Sequence, residues 1–391
     1  MSLPRTAATF VSPIVESRRW LEGVHFTAEQ PLINVSQAAP IDPPPQGLRQ
    51  AIAQAALDDD SAHLYGPVLG RPDLRAALAS QTSKHYAANL TSDQIAITSG
   101  CNQAFAAAIA SLCGEGDEVI IPTPWYFNHK MWLDLAGVAA CPLPVGAEML
   151  PDVQHAEALI TPRTRAIALV SPNNPCGTEY PAPLLRAFYE LAKSRGLKLI
   201  LDETYRDFDS RTGAPHDLMQ SEGWDHTLIH LYSFSKAYRL TGHRVGAIAT
   251  SPTRLSEMEK FLDTVTICPN QLGQIGALWG IENLSDWLAG ERAEILDRRA
   301  AIHESFGILA ERGWKLLGCG AYFAYVEHPF DAPSEQIARD LVTQASVLML
   351  PGSMFLPVDD PAGERQFRIA FANVDRAGIT ELFHRLAAVQ H

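Results

Sequence analysis

No stretch of this chain approaches the ~18 consecutive apolar residues that cross a membrane as a helix. No C-x-x-C pair occurs among its six cysteines, at 101, 113, 141, 176, 268 and 319, and their spacing forms no disulfide or metal framework. They read as reduced thiols, and the opening segment lacks an apolar run behind a basic one, so a cytoplasmic location is expected. Clustered Lys and Arg are missing too: 31 basic against 44 acidic residues leave a net charge of −13. Nucleic acid and anionic membrane surfaces need such clusters, so neither is an expected partner, although a few local cations can still hold a small anion. There is no internal repeat and no low-complexity block. What is present is an ordinary enzyme-like composition, 47% hydrophobic and 19% charged over 391 residues. At roughly 150 residues per domain this implies two or three domains, with a core large enough to need no metal or disulfide staple.

The clearest break is IDPPPQG at 41–47, where proline ends regular structure and stiffens a connector. An arm precedes it, and a helical pattern, LRQAIAQAALDDD, follows. From about 94 to 250, short apolar runs (QIAIT, EVIIP, RAIALV, LKLILD, LIHLY, RVGAIAT) alternate with helix-length segments such as NQAFAAAIASLC and PLLRAFYELAKSRG, the latter ending at Gly196 as a helix cap. Runs rich in Ile, Leu and Val with little polar alternation are strands covered on both faces. Alternating with helices, they predict an α/β fold with a doubly wound, mainly parallel sheet. After 285 come a charged helix, the strands GAYFAYVEH and FRIAFAN, and a closing helix, together a smaller α+β unit. The expected division is an arm over 1–46 that packs with the last part, a large domain over 47–284 and a small domain over 285–391.

Ligands of open α/β sheets bind beyond the carboxyl ends of the strands. Four strands are followed there by Ser99-Gly100-Cys101-Asn102, by Ser171-Pro172-Asn173-Asn174-Pro175, by Asp202-Glu203-Thr204-Tyr205 and by Ser233-Phe234-Ser235-Lys236. Hydroxyls, amides, a carboxylate and an amine thus converge on one edge, which argues for one site. A helix start attracts phosphate and Gly100 allows close approach, but such a turn is by itself commonly just a turn. Arg244 can fork onto phosphate oxygens or stay a solvated charge. Asp202 ends an apolar strand, so it needs a partner such as a protonated pyridine nitrogen, or else caps the next segment. Lys236, if desolvated, becomes a nucleophile toward carbonyls; a lone lysine is more commonly a surface charge. These readings gain weight jointly.

The segments TSGCNQAF, GDEVIIPTPWYFNH, SPNNPCGTEY, LDETYRDF, YSFSKAYRLTGHRVGA, GAYFAYV, LPGSMF and FRIAFAN occur in the order found in class I/II aminotransferases, pyridoxal-phosphate (PLP) enzymes of the aspartate-aminotransferase fold, which the chain resembles over roughly 30–375. The resemblance implies that Lys236 forms the internal aldimine with pyridoxal 5'-phosphate and shuttles the proton. It implies that Asp202 pairs with the pyridine nitrogen, that Tyr205 and Asn174 bond the 3-hydroxyl, and that Tyr126 stacks on the ring. Gly100, Cys101, Asn102, Ser233 and Arg244 would hold the phosphate with Ser235 nearby, and Tyr65 would reach the phosphate of a neighbouring subunit in a homodimer. Arg368 would grip the substrate α-carboxylate, with Asn174 and the backbone at Ala38 beside it. For single residues other readings stay open: Tyr126 as core packing with Trp125 or Phe127 stacking instead, Tyr65 as a helix-boundary aromatic. Arg368 inside an apolar strand has no bland reading, since Arg is seldom buried without a partner.

Three departures stand out. Ala38-Ala39-Pro40 replaces a Gly-Glu-Pro type turn, Cys176 stands where Thr is common, and CPNQLGQ at 268–274 offers no hydroxyl for a contact across a dimer. The implied activity is ping-pong transamination between an L-amino acid and a 2-oxo acid. The alternatives are a carbon–sulfur β-lyase, which uses the same cofactor chemistry, and a non-catalytic PLP-binding regulator domain, for which the ~30 residues before the matching region leave little room for a DNA-binding segment.

Overall fold

The structure is a computed structural model that describes residues 4–389; the first three residues of the expected arm and the last two of the expected small domain lie outside the described residues. In chain order the strands are β1 (Ile33–Asn34), β2 (Ile95–Thr98), β3 (Glu118–Thr123), β4 (Ala139–Pro144), β5 (Thr164–Val170), β6 (Lys198–Asp202), β7 (Leu228–Ser233), β8 (Gly246–Ala249), β9 (Lys315–Gly320), β10 (Phe323–Glu327), β11 (Val347–Leu348), β12 (Leu350–Pro351) and β13 (Gln366–Ala370). A seven-stranded sheet has the order β2-β8-β7-β6-β5-β3-β4, parallel throughout except for β8, which runs antiparallel to both neighbours.

The apolar runs fold as strands because both faces are covered. Leu199 and Leu201 of β6 join one buried cluster, while Ile200 between them joins another on the opposite face. Ile167 and Leu169 of β5 divide from Ala166 and Ala168 in the same way, which is the period of two made visible. Six of the seven strands coincide with the expected runs. The seventh, β4, reads AACPLP and carries two prolines, which favour a turn on sequence alone. It survives because it is the edge strand, largely exposed, where a missing N–H costs no ladder bond.

The direction of β8 matters for the site. Strands β2, β5, β6 and β7 all point their carboxyl ends to one edge, and β8 presents its amino end there. Arg244, two residues before β8, therefore arrives at the same edge as Lys236, which follows β7.

A second sheet, β12-β13-β10-β9, is antiparallel, and β1 pairs in parallel with β11. Trp20, Val35 and Ala38 from before residue 40 share a buried cluster with Ile302, Phe323, Phe367 and Leu382. The expected helix after 285 is broken at Phe306 into Ser285–Ser305 and Gly307–Ala310. The helix Ala182–Ser194 closes with Gly196 at φ +69°, the left-handed geometry expected of that cap. Among the described residues no helix is long and apolar enough to cross a membrane.

Candidate active site

At the shared strand edge lies a cavity of about 250 Å³. Lys236 enters it from the short helix Phe234–Ala237, whose start is capped by Ser233 Oγ accepting from Ser235 N at 3.2 Å. Its Nζ donates to the carbonyl of Ala38 at 2.6 Å and stands 6.0 Å from the Tyr205 ring centroid. Burial, then the nearby charges of Arg244 and Arg368, push its pKa down to about 8. A sizeable fraction of the amine is thus neutral near pH 7.5, the form that attacks an aldehyde.

Asp202 is buried at the end of β6. Its Oδ1 accepts from Thr204 N at 2.9 Å and from Thr204 Oγ1 at 2.7 Å, so it does cap the following turn. Its Oδ2 is 3.2 Å from His129 Nε2, within ion-pair range although not aligned as a hydrogen bond. Burial alone would raise its pKa; His129 and the Thr204 donors outweigh that and hold it below the ordinary value. A carboxylate kept ionised at a cavity floor is suited to a cationic ring nitrogen.

Arg368, on β13, is 2% exposed. Its Nη1 donates to Asn174 Oδ1 at 3.0 Å, its Nη2 donates to the carbonyl of Ser36, and its Nε has no partner. Among the described residues, amide and carbonyl oxygens are its only acceptors. Burying an ion costs several kcal/mol, which neutral acceptors offset only in part; burial accordingly pushes this guanidinium down to about 10. A buried guanidinium left with neutral acceptors is suited to an incoming carboxylate.

Another part of the cavity wall is built from backbone. The helix Cys101–Leu112 starts there, with Gly100 before it at φ +88°. A Cβ on Gly246 would come 2.6 Å from the backbone N of Cys101, which requires glycine there, and the positive φ of Gly100 favours glycine as well. Arg244 Nη1 is held by the carbonyl of Thr241 at 3.0 Å, and Tyr126 donates to Asn102 Oδ1 at 3.2 Å. Helix-start N–H groups, a guanidinium and the hydroxyls of Ser233 and Ser235 form a donor set suited to phosphate. With Asp202 at the floor and the Lys236 amine beside it, the residues present fit pyridoxal phosphate.

The structure therefore gathers Lys236, Asp202, Tyr205, Asn174 and Tyr126 around one cavity, together with Cys101, Asn102, Ser233, Ser235, Arg244, Arg368 and Ala38. Gly100 lies beneath them as the cap. Trp125, the rival stacking ring, packs instead in a core cluster, whereas Tyr126 and Phe127 both line the cavity. Tyr65 is not brought to the cavity of its own chain; its side chain stands 81% exposed. Sequence reasoning missed His129, Ser36, Gln37 and Ile14, and it brought Thr204 to the site without a role. His129 carried a usable signal: it lies three residues after Tyr126, one turn along the helix Phe127–Ala136, and so on the same side. Ile14 and Ser36 carried none, since they belong to the arm and meet the site only through the chain's tertiary path.

Comparison with known proteins gives a consistent result. The family described as "Aminotransferase class I and II" matches residues 30–386. "Aromatic aminotransferase ISS1" of Arabidopsis thaliana is 30% identical over 357 residues, covering 87% of this chain and 88% of the relative. "Aspartate aminotransferase" of Pyrococcus abyssi is 28% identical over 335 residues, covering 84% of each. Among solved structures, a single mutant of Thermus thermophilus aspartate aminotransferase superposes with a TM-score of 0.87 at 23% identity, covering 100% of both chains, a likeness of fold.

Proposed function

The chain belongs to the class I and II aminotransferases, pyridoxal-phosphate-dependent transaminases, and we propose that it moves an amino group between an L-amino acid and a 2-oxo acid by a ping-pong mechanism with Lys236 as cofactor tether and proton carrier. The observation that carries this reading is that one cavity holds the Lys236 amine, the buried Asp202 carboxylate and the anion-seeking Arg368 guanidinium.

Pyridoxal phosphate, when bound, supplies the electron sink that lets an amino acid lose its α-proton. The chain's residues do the rest. Gly100, Cys101, Asn102, Ser233 and Arg244 hold the phosphate, with Ser235 beside them. Asp202, held anionic by its contact with His129, would keep a proton on the ring nitrogen of the bound cofactor. Tyr205 and Asn174 would orient the ring hydroxyl of the bound cofactor, and Tyr126 would pack against its ring. Arg368 binds the substrate carboxylate, which fixes the α-carbon relative to Lys236; Asn174 is held against Arg368 and the backbone of Ala38 against Lys236. Lys236 Nζ, once freed by the incoming substrate amine, would take the α-proton and later give a proton back to complete the exchange.

A cytoplasmic homodimer is part of the same proposal. The six cysteines are free thiols, as the reducing cytoplasm would keep them. Exposed Leu57, Leu64, Tyr65, Val265 and Ile267 support an interface, and Gly66 N donating to Cys268 Sγ at 3.4 Å brings two of these segments together. In that dimer Tyr65 serves the site of the partner subunit. We also retain the division into an arm (1–46), a large cofactor domain (47–284) and a small domain (285–391). The test is intact-mass analysis after borohydride reduction of the cofactor-loaded protein. One permanent adduct on Lys236, lost in Lys236→Ala together with turnover, is expected; a label elsewhere, or turnover at the wild-type rate in Lys236→Ala, would refute the reading. Pyruvate from cystathionine without an added 2-oxo acid would favour the β-lyase instead.

A further inference from the structure

We propose that the amino acid taken by this site carries a bulky apolar side chain, aromatic or thioether, and that Ile14 and Phe127 select it. The proposal rests on the transaminase reading for the reaction and on the cavity wall for the selection.

Charge bookkeeping at the cavity comes first. Among the described residues, three cations line it: Lys236, Arg244 and Arg368. Each has a task in the reading above, for the amine, the phosphate and the α-carboxylate. A dicarboxylic substrate would need a fourth. Next to Arg368 the wall is instead apolar. The guanidinium lies 4.9 Å from the Phe355 ring centroid. Phe355 packs on Phe127, with ring centroids 5.8 Å apart, in a cluster with Leu350, Ile14, Tyr126, Met131 and Met354. Of these, Ile14, Tyr126 and Phe127 reach the cavity itself.

Three distant chain segments build this wall: the arm helix Pro13–Arg19, the start of the helix Phe127–Ala136, and the turn ending at Phe355. The carbonyl of Phe355 accepts from Trp125 N at 2.8 Å, which fixes the last two against each other. Beside this wall the cavity also has the amides of Asn128 and Gln37. Asn128 donates to Met131 Sδ at 3.7 Å, and Gln37 Oε1 accepts from Arg18 Nη2 at 2.9 Å. Arg18 thus approaches only through Gln37 and does not line the cavity. A substrate held by Arg368 brings its side chain against Ile14 and Phe127. An aromatic or thioether group gains contact there, whereas a second carboxylate loses its water with no cation from this chain's lining to replace it.

The test compares kcat/KM of the holoenzyme for L-phenylalanine, L-methionine and L-aspartate with a common 2-oxo acid. The expected result is an advantage of about a hundredfold or more for phenylalanine or methionine over aspartate. Ile14→Arg places a cation in the wall and should shift the phenylalanine-to-aspartate ratio at least about tenfold toward aspartate. Calorimetric binding of two unreactive analogues, 3-phenylpropanoate and succinate, to the wild-type holoenzyme should give the same order without any turnover. Aspartate equal to or better than phenylalanine, or succinate bound as tightly as 3-phenylpropanoate, would overturn the proposal. If Arg18→Gln abolished such an aspartate preference, Arg18 would be the missing cation. The two readings fail separately. Analogue binding in the expected order with no transamination of any amino acid would sink the function and leave the pocket assignment standing. Transamination with an aspartate preference would do the reverse.

Discussion

An ordinary lysine titrates near 10.5, whereas the surroundings of Lys236 bring it to about 8. That difference can be read as a rate. Covalent capture of an aldehyde is first order in neutral amine, so capture of pyridoxal phosphate by the cofactor-free protein should follow the neutral fraction of Lys236. Near pH 7.5 an amine titrating at 8 is about 24% neutral and one titrating at 10.5 about 0.1%, a difference of roughly two hundredfold. From pH 6.5 to 7.5 the rate should rise about eightfold, and from 7.5 to 9 less than about fourfold, where an ordinary lysine would gain about thirtyfold. Stopped-flow absorbance of the captured cofactor measures this, with N-acetyl-lysine amide under the same conditions to remove the cofactor's own titration. Arg368→Gln removes one of the two cations that disfavour the protonated amine, so its midpoint should move to higher pH. A rate that climbs tenfold per pH unit up to pH 10 would refute the reasoning, because Lys236 would then be an ordinary amine.

Arg368→Gln should also cut kcat/KM by about a hundredfold or more and weaken 3-phenylpropanoate binding in parallel, since a buried charge-assisted contact of roughly 3 kcal/mol is lost. His129→Asn removes the imidazole 3.2 Å from Asp202 Oδ2, and kcat should fall about ten- to a hundredfold with cofactor affinity read separately by fluorescence titration. Behind Asp202, the buried Glu203 Oε2 accepts from Tyr86 and contacts His216 Nε2 at 3.1 Å and His230 Nε2 at 2.9 Å. Burial would raise its pKa, but these partners hold it well below 4.5. Its contribution is therefore fully present above about 4.5 and is lost as pH falls through the lower folded value. Glu203→Gln should cost roughly 2–4 kcal/mol in denaturant melts at pH 7, and the deficit should shrink below pH 4.5. Tyr65→Phe should lower cofactor affinity in a species that light scattering reports as a dimer; a fully active monomer would remove the role of Tyr65.

Much of the sheet was legible because burial on two faces leaves a local mark. Strands such as LKLILD carry alternate residues into opposite clusters, and no distant information is needed to see that they are strands. The strand β4 was illegible for the converse reason: its prolines announce a turn, and only its place at the sheet edge makes them harmless. The sequence by itself determined which chemistry reaches the sheet edge, because Asp202 ends a strand, Asn102, Asn174 and Lys236 follow theirs by a few residues, and strand direction does the rest. Tertiary structure alone decided what surrounds that chemistry. Ser36 and Arg368 meet across 332 residues, Ala38 and Lys236 across 198, and Ile14 joins Phe127 and Phe355 with no local periodicity to announce it. Such contacts are made by packing of whole elements, whose energies are summed over many side chains and written at no single position.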